Sequence, residues 1–182
     1  MAERIHPLAE RAFAAPGLTL EPLPFAERIS LRAGEEPAAA IGVMLGVELP
    51  ARPGTSATAD ATGQACTALW LGPDEWLLVA EPGTGLAARL AAVENGTFSA
   101  VEISHRNTAI AVSGARSAHA LNAGCPRDLS LAAFPVGACT RTILGKCEIV
   151  LLREAQDRFR VECWRSFSDY VWNYLVDAAT SA

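Results

Sequence analysis

The sequence lacks any apolar run long enough to cross a bilayer, which takes about 18 consecutive residues. Its longest apolar stretch, residues 38–47, is interrupted by two glycines and predicts a buried helix. Glu3, Arg4 and His6 near the N-terminus are not followed by an apolar segment, which argues against a signal peptide. We therefore expect a cytoplasmic protein without a membrane partner.

Paired cysteines and metal-ligand clusters are also lacking. The cysteines are odd in number, and no two of them have the C-x-x-C spacing of a zinc site or a redox dithiol. His6 and His119 have no partner at metal-ligand spacing. We predict no metal site and expect these thiols to pack as small, buried apolar side chains. The five cysteines are Cys66, Cys125, Cys139, Cys147 and Cys163.

Lysine is almost absent, since Lys146 is the single lysine among 15 basic residues. The net charge of -5 argues against a general affinity for nucleic acid. The charge is uneven: residues 1–105 hold 6 Arg and 13 acidic residues, whereas residues 106–182 hold 8 Arg, 1 Lys and 7 acidic residues. For the excess of arginine over lysine, a biased genome composition is the commoner cause, and arginine-rich contact surfaces are the alternative.

What is present is a periodic apolar pattern that predicts two similar halves behind an arm. Residues 1–24 contain four prolines and no clear period, which predicts an irregular N-terminal arm. Residues 25–105 are predicted as β-α-β-β-α-β, with a long exposed loop over 49–64 and a tight hairpin turn at the sequence G-P-D-E. Thr84 is predicted to cap the second helix of this half.

The second half, residues 106–182, is predicted as β-α-β-β-β-α. Ser113 is predicted to cap its first helix, Gly145 and Lys146 to form a tight turn, and residues 168–178 to form the final helix. Because the two halves have similar orders of elements, we predict an α+β fold of two ferredoxin-like halves with antiparallel sheets, packed as one compact body.

Four short segments follow one another in an order and spacing typical of a known family. They are residues 69–77 (L-W-L-G-P-D-E-W-L), 103–107 (I-S-H-R-N), 121–129 (L-N-A-G-C-P-R-D-L) and 134–137 (F-P-V-G), the last leading into the turn at Gly145. Together they resemble the gamma subunit of heterotetrameric sarcosine oxidase, over about residues 18–178. The G-P-D-E-W hairpin and the G-C-P-x-D-L helix exit are more specific together than either motif alone.

The resemblance implies a fold similar to the folate-binding region of the glycine-cleavage T-protein. It also implies membership of an oxidoreductase complex of sarcosine catabolism and one-carbon metabolism. Such a complex demethylates sarcosine to glycine, passes the one-carbon unit to tetrahydrofolate and forms hydrogen peroxide. The implied partners are the alpha, beta and small delta subunits of the heterotetramer, with FAD, FMN, NAD and tetrahydrofolate on those partners. The gamma chain itself is implied to act in assembly, without chemistry of its own.

We predict no catalytic, cofactor-binding or metal-binding residues on this chain. Ser104 and His105 are adjacent, but neighbours on a strand point to opposite faces, so a nucleophile–base pair is not expected. Gly83-Thr84-Gly85 precedes a helix but lacks the lysine that ends a phosphate-binding loop. No G-x-G-x-x-G follows a strand, so this chain has no dinucleotide fingerprint.

The residues that we single out form a candidate partner interface. Residues 158–163 alternate between apolar and polar, and Trp164 falls on the polar side of this strand. Tryptophan and arginine are enriched among the residues that anchor interfaces. The alternative is a tryptophan covered by the final helix or by the arm, and the period favours neither. The candidates are Arg106, Arg158, Arg160, Trp164 and Arg165.

Two other functions remain open at this point. A stand-alone folate-binding or aminomethyltransferase-like protein would share the fold. T-protein relatives place a reactive aspartate at a glycine-rich hairpin, whereas residues 144–148 (L-G-K-C-E) contain none. A homo-oligomeric scaffold would instead form a stable dimer without other partners.

Overall fold

The computed structural model of the chain describes residues 5–59 and 65–180. The strands are β1 (Phe13–Ala15), β2 (Leu18–Pro22), β3 (Glu27–Ala33), β4 (Ser56–Ala59), β5 (Cys66–Gly72), β6 (Glu75–Ala80), β7 (Phe98–Glu102), β8 (Asn107–Ser113), β9 (Cys139–Leu144), β10 (Cys147–Ala155) and β11 (Arg158–Trp164). The helices are α1 (Glu35–Leu45), α2 (Leu86–Ala91), α3 (Ser117–Asn122) and α4 (Ser168–Thr180), with a 3₁₀ turn at Arg165–Phe167.

The chain divides into two compact units. The central unit is Phe25–His105, and the terminal unit combines the chain up to Pro24 with the chain from Arg106 onward. Each unit has its own antiparallel sheet and its own apolar core. The predicted α+β fold with two antiparallel sheets is therefore confirmed.

The central unit contains a five-stranded sheet in the order β4-β5-β6-β3-β7. Without β4, this is the strand order of a ferredoxin-like unit, in which α1 and α2 follow the first and third strands. The predicted inward face of β3 is confirmed, because Ile29 and Leu31 are both fully buried. They belong to one core cluster with Ile41 and Leu45 of α1, so the helix covers this face of the sheet.

The terminal unit repeats this arrangement with a different chain connection. Its sheet has the order β1-β2-β8-β11-β10-β9, in which the series β9-β10-β11-β8-β2 corresponds to β4-β5-β6-β3-β7 of the central unit. In the central unit the last strand of the series, β7, follows α2 along the chain. In the terminal unit the equivalent strand, β2, comes from the N-terminal segment. The terminal unit is therefore a circularly permuted form of the same ferredoxin-like arrangement.

Equivalent backbone hydrogen bonds support this correspondence. In the central unit the amide of Ala33, at the end of β3, donates to the carbonyl of Asp74 at 3.1 Å. In the terminal unit the amide of Gly114, just after β8, donates to the carbonyl of Asp157 at 2.8 Å. Both acceptors lie in the turn of the neighbouring hairpin, and both hairpins carry a register shift just before that turn. The two units thus share the geometry of this corner.

Two predicted irregular segments are wrong in part. The arm expected over residues 1–24 contains β1 and β2, because Leu18 and Leu20 alternate into the core while the backbone of β2 pairs with β8. The loop expected over 49–64 contains β4, which pairs with β5 even though its side chains are small. Residues 60–64 of that loop lie outside the described residues.

The two predicted helix caps are also wrong. Ser113 is the last residue of β8, and its hydroxyl accepts a hydrogen bond from Nη1 of Arg158 at 3.3 Å. Helix α3 starts only at Ser117, too far along the chain for Ser113 to reach its first amides. The Thr84 hydroxyl donates to the carboxylate of Glu27 at 2.9 Å, and it does not cap α2.

The two glycine turns of the family-like motifs meet the tyrosines of α4. A Cβ atom placed on Gly124 would lie 2.5 Å from the hydroxyl oxygen of Tyr174, and one on Gly145 would collide with the hydroxyl of Tyr170. The Lys146 amide donates to the Tyr170 hydroxyl at 3.0 Å, and the two tyrosine rings are 6.0 Å apart. These glycines are therefore needed for close packing of the turns against α4.

We expect Gly124→Ala to lower the free energy of unfolding by about 1–3 kcal/mol, because its methyl group forces the Tyr174 ring out of place. Gly72→Ala is the matched control, since a Cβ there meets nothing closer than Glu75 Cβ at 3.4 Å. The control should change the free energy by less than about 0.5 kcal/mol. Urea unfolding followed by circular dichroism measures both variants, and equal losses would contradict the packing argument.

Candidate partner interface

Trp164 lies at the end of β11 with 39 % of its surface exposed. The guanidinium carbon of Arg106 lies 4.7 Å from the centroid of the Trp164 ring, within the range of a cation–π interaction. The Phe167 ring is 6.1 Å from the Trp164 ring, and Phe167 is itself 45 % exposed. We call Arg106, Trp164 and Phe167 the aromatic cluster. Trp164 is therefore partly exposed in the folded chain, and not fully covered by the final helix or the arm.

Backbone pairing brings the members of the aromatic cluster together. Asn107 of β8 is the register partner of Trp164, and this pair is at the end of the ladder. Arg106, one residue before Asn107, therefore lies at the same end of the ladder as Trp164. The Arg165 amide then donates to the Arg106 carbonyl at 2.7 Å. The Arg165 guanidinium turns away and donates to the carbonyl of Ile5 at 2.9 Å. Arg165 therefore ties the N-terminal segment beside the cluster.

Arg158 and Arg160 lie on the same face of β11 but in a separate ion-pair network. Arg158 Nε is 2.9 Å from Glu154 Oε2, and Arg160 Nε is 2.8 Å from Glu162 Oε1. The Arg160 side chain is 14 % exposed, so opening its pair with buried Glu162 would leave a charge poorly solvated. Arg158 is six residues from Trp164, about 20 Å along the strand. The interface role of these two arginines stays a prediction.

The inward side of β11 follows from the sequence pattern, whereas the position of Phe167 does not. The inward side of β11 is as predicted, because Phe159, Val161 and Cys163 are almost fully buried. Phe167 was not predicted as part of the candidate interface. It follows Trp164 by three residues, and a 3₁₀ turn with three residues per turn returns it to the same side. That spacing was the one signal in the sequence that pointed to it.

Ser104 and His105, the pair considered for chemistry, lie in different surroundings. Ser104 is buried and its Oγ accepts a hydrogen bond from the Arg28 amide at 2.9 Å, whereas His105 is exposed.

All five cysteines are free and buried, as expected. Across residues 5–59 and 65–180, no three His, Cys, Asp or Glu side chains group closely enough to hold a metal ion. None of the helices in those ranges is long and apolar enough to span a bilayer.

The loop Gly83-Thr84-Gly85 already holds a carboxylate of its own unit. Glu27 Oε1 accepts from the amides of Gly83 at 2.9 Å and Gly85 at 3.2 Å. Its Oε2 accepts from the Leu86 amide at 2.7 Å and from the Thr84 hydroxyl. Burial acts to raise the pKa of Glu27, but these hydrogen bonds outweigh it and hold the pKa below its ordinary value. The amides at the start of α2 are therefore taken by Glu27, and a phosphate would have to displace it.

Comparison with known proteins places these features in a family context. The model of the sarcosine oxidase gamma subunit family matches residues 32–181. Sarcosine oxidase subunit gamma from Arthrobacter sp is 32% identical over 98% of this chain and 88% of its own length. The subunit gamma from Corynebacterium sp. (strain U-96) is 32% identical over 88% of this chain and 78% of its own length.

Solved structures give the same result. The heterotetrameric sarcosine oxidase from Corynebacterium sp. U-96 in complex with pyrrole 2-carboxylate contains a chain with a TM-score of 0.81 and 32% identity, covering 90% of this chain and 84% of that one. The glycine cleavage system aminomethyltransferase T from Bartonella henselae has a TM-score of 0.69 at 16% identity, covering 88% of this chain and 45% of that one. The second likeness shows a shared fold, as the sequence resemblance implied.

Because the pKa of Glu27 is lowered in the folded chain, its ionised carboxylate stabilises the fold above the unfolded pKa of about 4.3. We expect Glu27→Gln to lower the free energy of unfolding by about 1–2 kcal/mol at pH 7, as for a lost helix cap. The difference in this free energy between variant and wild type should shrink as the pH falls through the folded pKa of Glu27, because the wild-type carboxylate is then also protonated. Urea unfolding between pH 7 and pH 3 measures this, with exposed Glu102→Gln as the control. A difference that persists undiminished at pH 3 would show that the charge of Glu27 is not the cause.

Proposed function

The chain belongs to the sarcosine oxidase gamma subunit family, and we propose from this premise that it is a subunit of a heterotetrameric sarcosine oxidase and acts in its assembly. The observation that carries the proposal is the match of the fold along almost the whole chain to a chain of such a complex. The proposed complex is cytoplasmic. It oxidises sarcosine to glycine, passes the one-carbon unit to tetrahydrofolate and forms hydrogen peroxide.

We assign the cofactors of the proposed complex, namely FAD, FMN, NAD and tetrahydrofolate, to the alpha and beta partners. Two features of this chain do not fit such groups. The loop that precedes α2 has its amides occupied by Glu27, so a phosphate would have to displace a bound carboxylate. The hairpin at Gly145 (residues 144–148) has no aspartate, and Tyr170 packs closely against Gly145. We therefore derive no chemical step on this chain.

The aromatic cluster is the part of the surface that we propose as the partner contact. An exposed tryptophan with an arginine on its face and a second aromatic ring beside it presents a large amphipathic area. The ring contacts restrict these side chains before binding, which lowers the entropy lost on association. We propose that Arg165 supports the cluster through Ile5, and that Arg158 and Arg160 contribute at the polar rim without leaving their ion pairs.

Co-expression tests the proposed function directly. We expect the tagged chain to recover alpha, beta and delta subunits of the same organism as one complex that forms hydrogen peroxide from sarcosine. The isolated chain should be colourless and inactive on sarcosine. Turnover by the isolated chain, or micromolar binding of tetrahydrofolate to it, would overturn the proposal in favour of an aminomethyltransferase-like protein. A stable homodimer that recovers none of these subunits would overturn it in favour of a scaffold.

We expect Trp164→Ala to weaken association with the other subunits by about 2 kcal/mol or more, which is roughly 30-fold in Kd. The free chain should unfold at nearly the same urea concentration as wild type, because Trp164 is partly exposed. Val136→Ala, at another exposed apolar residue of the terminal unit, is the control and should leave both properties unchanged. A loss of stability with unchanged binding would assign Trp164 to the core and remove the cluster from the interface.

A further inference from the structure

An open groove of about 800 Å³ runs beside α1 in the central unit. Val43 is 85 % exposed, the most exposed large apolar side chain among the described residues, and it lies in the third turn of the helix. Small residues at its sides leave the helix backbone close to the surface, so a second segment of chain could approach closely. The apolar residues of the groove include Ala38, Ala39, Val43, Val47, Leu49 and Trp76.

The charged side chains that line the groove are acidic. They are Glu35, Glu48 and Asp74, and no lysine or arginine is among the described residues that line it. Arg32 pairs with Asp74 at 3.4 Å on an exposed part of the surface, where such a pair is weak. An occupant would therefore meet an apolar floor with a negative rim. Such a rim favours a segment that carries a cation.

The terminal unit shows what fills the equivalent space. Trp76 of the central unit corresponds to Phe159 of the terminal unit. Trp76 of β6 pairs with Trp70 of β5, and Phe159 of β11 pairs with Arg153 of β10. Each pair lies next to the register shift of its hairpin. Phe134, from the segment between α3 and β9, stacks on Phe159 with ring centroids 6.5 Å apart and planes at 17°. In the terminal unit the chain itself thus supplies a ring to this corner.

The same segment is held there by a buried cation. Arg153 is almost fully buried, its guanidinium carbon lies 4.5 Å from the Phe159 ring, and its Nη2 donates to the carbonyl of Leu129. In the central unit the connection between α1 and β4 is residues 46–55, against residues 123–138 between α3 and β9. The shorter connection supplies the carbonyl of Pro50, which accepts from Trp76 Nε1 at 2.9 Å. This shorter connection, residues 46–55, leaves the groove open.

We propose that this groove docks an apolar segment of another oxidase subunit that carries at least one lysine or arginine. An apolar side chain of that segment packs beside Trp76 as Phe134 packs on Phe159, and its cation faces Glu35 and Glu48. The proposal rests on the proposed function, since it requires a heteromeric complex. It adds a second contact surface, on the central unit, to the aromatic cluster of the terminal unit.

Thiol protection in the assembled complex tests whether the groove is covered. The five native cysteines are buried, and burial raises the pKa of Cys66 to about 11, so they compete poorly for a maleimide. We expect the thiol of Val43→Cys to react with a maleimide about tenfold or more slowly in the complex than in the free chain, because an interface core excludes solvent. Val101→Cys, an exposed valine of β7 outside the groove, calibrates the general effect of assembly. Equal rates for Val43→Cys in both states would overturn the proposal.

Charge reversal tests the nature of the occupant. We expect Glu35→Lys with Glu48→Lys to weaken assembly about tenfold or more at low salt and to flatten its salt dependence, because the rim then repels a cation. Glu35→Gln with Glu48→Gln should give a smaller loss. Unchanged assembly in the reversed variant would overturn the cationic occupant. Protection of the Val43→Cys thiol in the isolated chain at high concentration would show that a second copy is the occupant. Failure of the wild-type chain to assemble at all would instead remove the proposed function.

Discussion

The pairing of β8 with β11 is the constraint on which the terminal unit depends. Its register runs from Asn107 opposite Trp164 to Ser113 opposite Arg158. A slip of one residue would turn Phe159 and Val161 out of the core. The same register places Arg106 beside Trp164, so one ladder positions both the core and the exposed aromatic cluster. Because β8 also pairs with β2, it joins the N-terminal segment to the rest of the unit.

The two units share an arrangement of sheet and helices but differ in what fills the space beside one corner of the sheet. Both cover one face of an antiparallel sheet with two helices and share the corner where a hairpin turn accepts an amide from the end of the neighbouring strand. The terminal unit fills the space beside this corner with its own longer connection, including Leu129 and Phe134. The central unit uses a shorter connection and leaves an apolar groove with an acidic rim. This difference is what makes the groove a candidate for a partner segment.

The glycine turns at Gly124 and Gly145 and the loop at residues 83–85 have structural roles. Gly124 and Gly145 allow Tyr174 and Tyr170 to pack, and Glu27 satisfies the amides that a phosphate-binding loop would offer to a ligand. The contacts of Gly124 and Gly145 are internal to the terminal unit, so these two glycine turns of the family motifs maintain the fold. Arg106 and Trp76, from the motifs at residues 103–107 and 69–77, lie instead in the aromatic cluster and at the groove.

The sequence by itself determined the strands and helices with strong periodicity, the inward faces of β3 and β11, the hairpin turns and the family resemblance. Those signals are local, because period and turn chemistry act between neighbours along the chain. Only the tertiary structure decided that β2 pairs with β8 in the terminal sheet. It also decided that Glu27, and not Thr84, accepts the amides at the start of α2, and that Phe167 lies beside Trp164 in the aromatic cluster. Each of these depends on groups distant in sequence, or on a change of period at a strand end. Such contacts form because buried donors and apolar faces must find partners somewhere in the folded chain, and a local pattern does not say where.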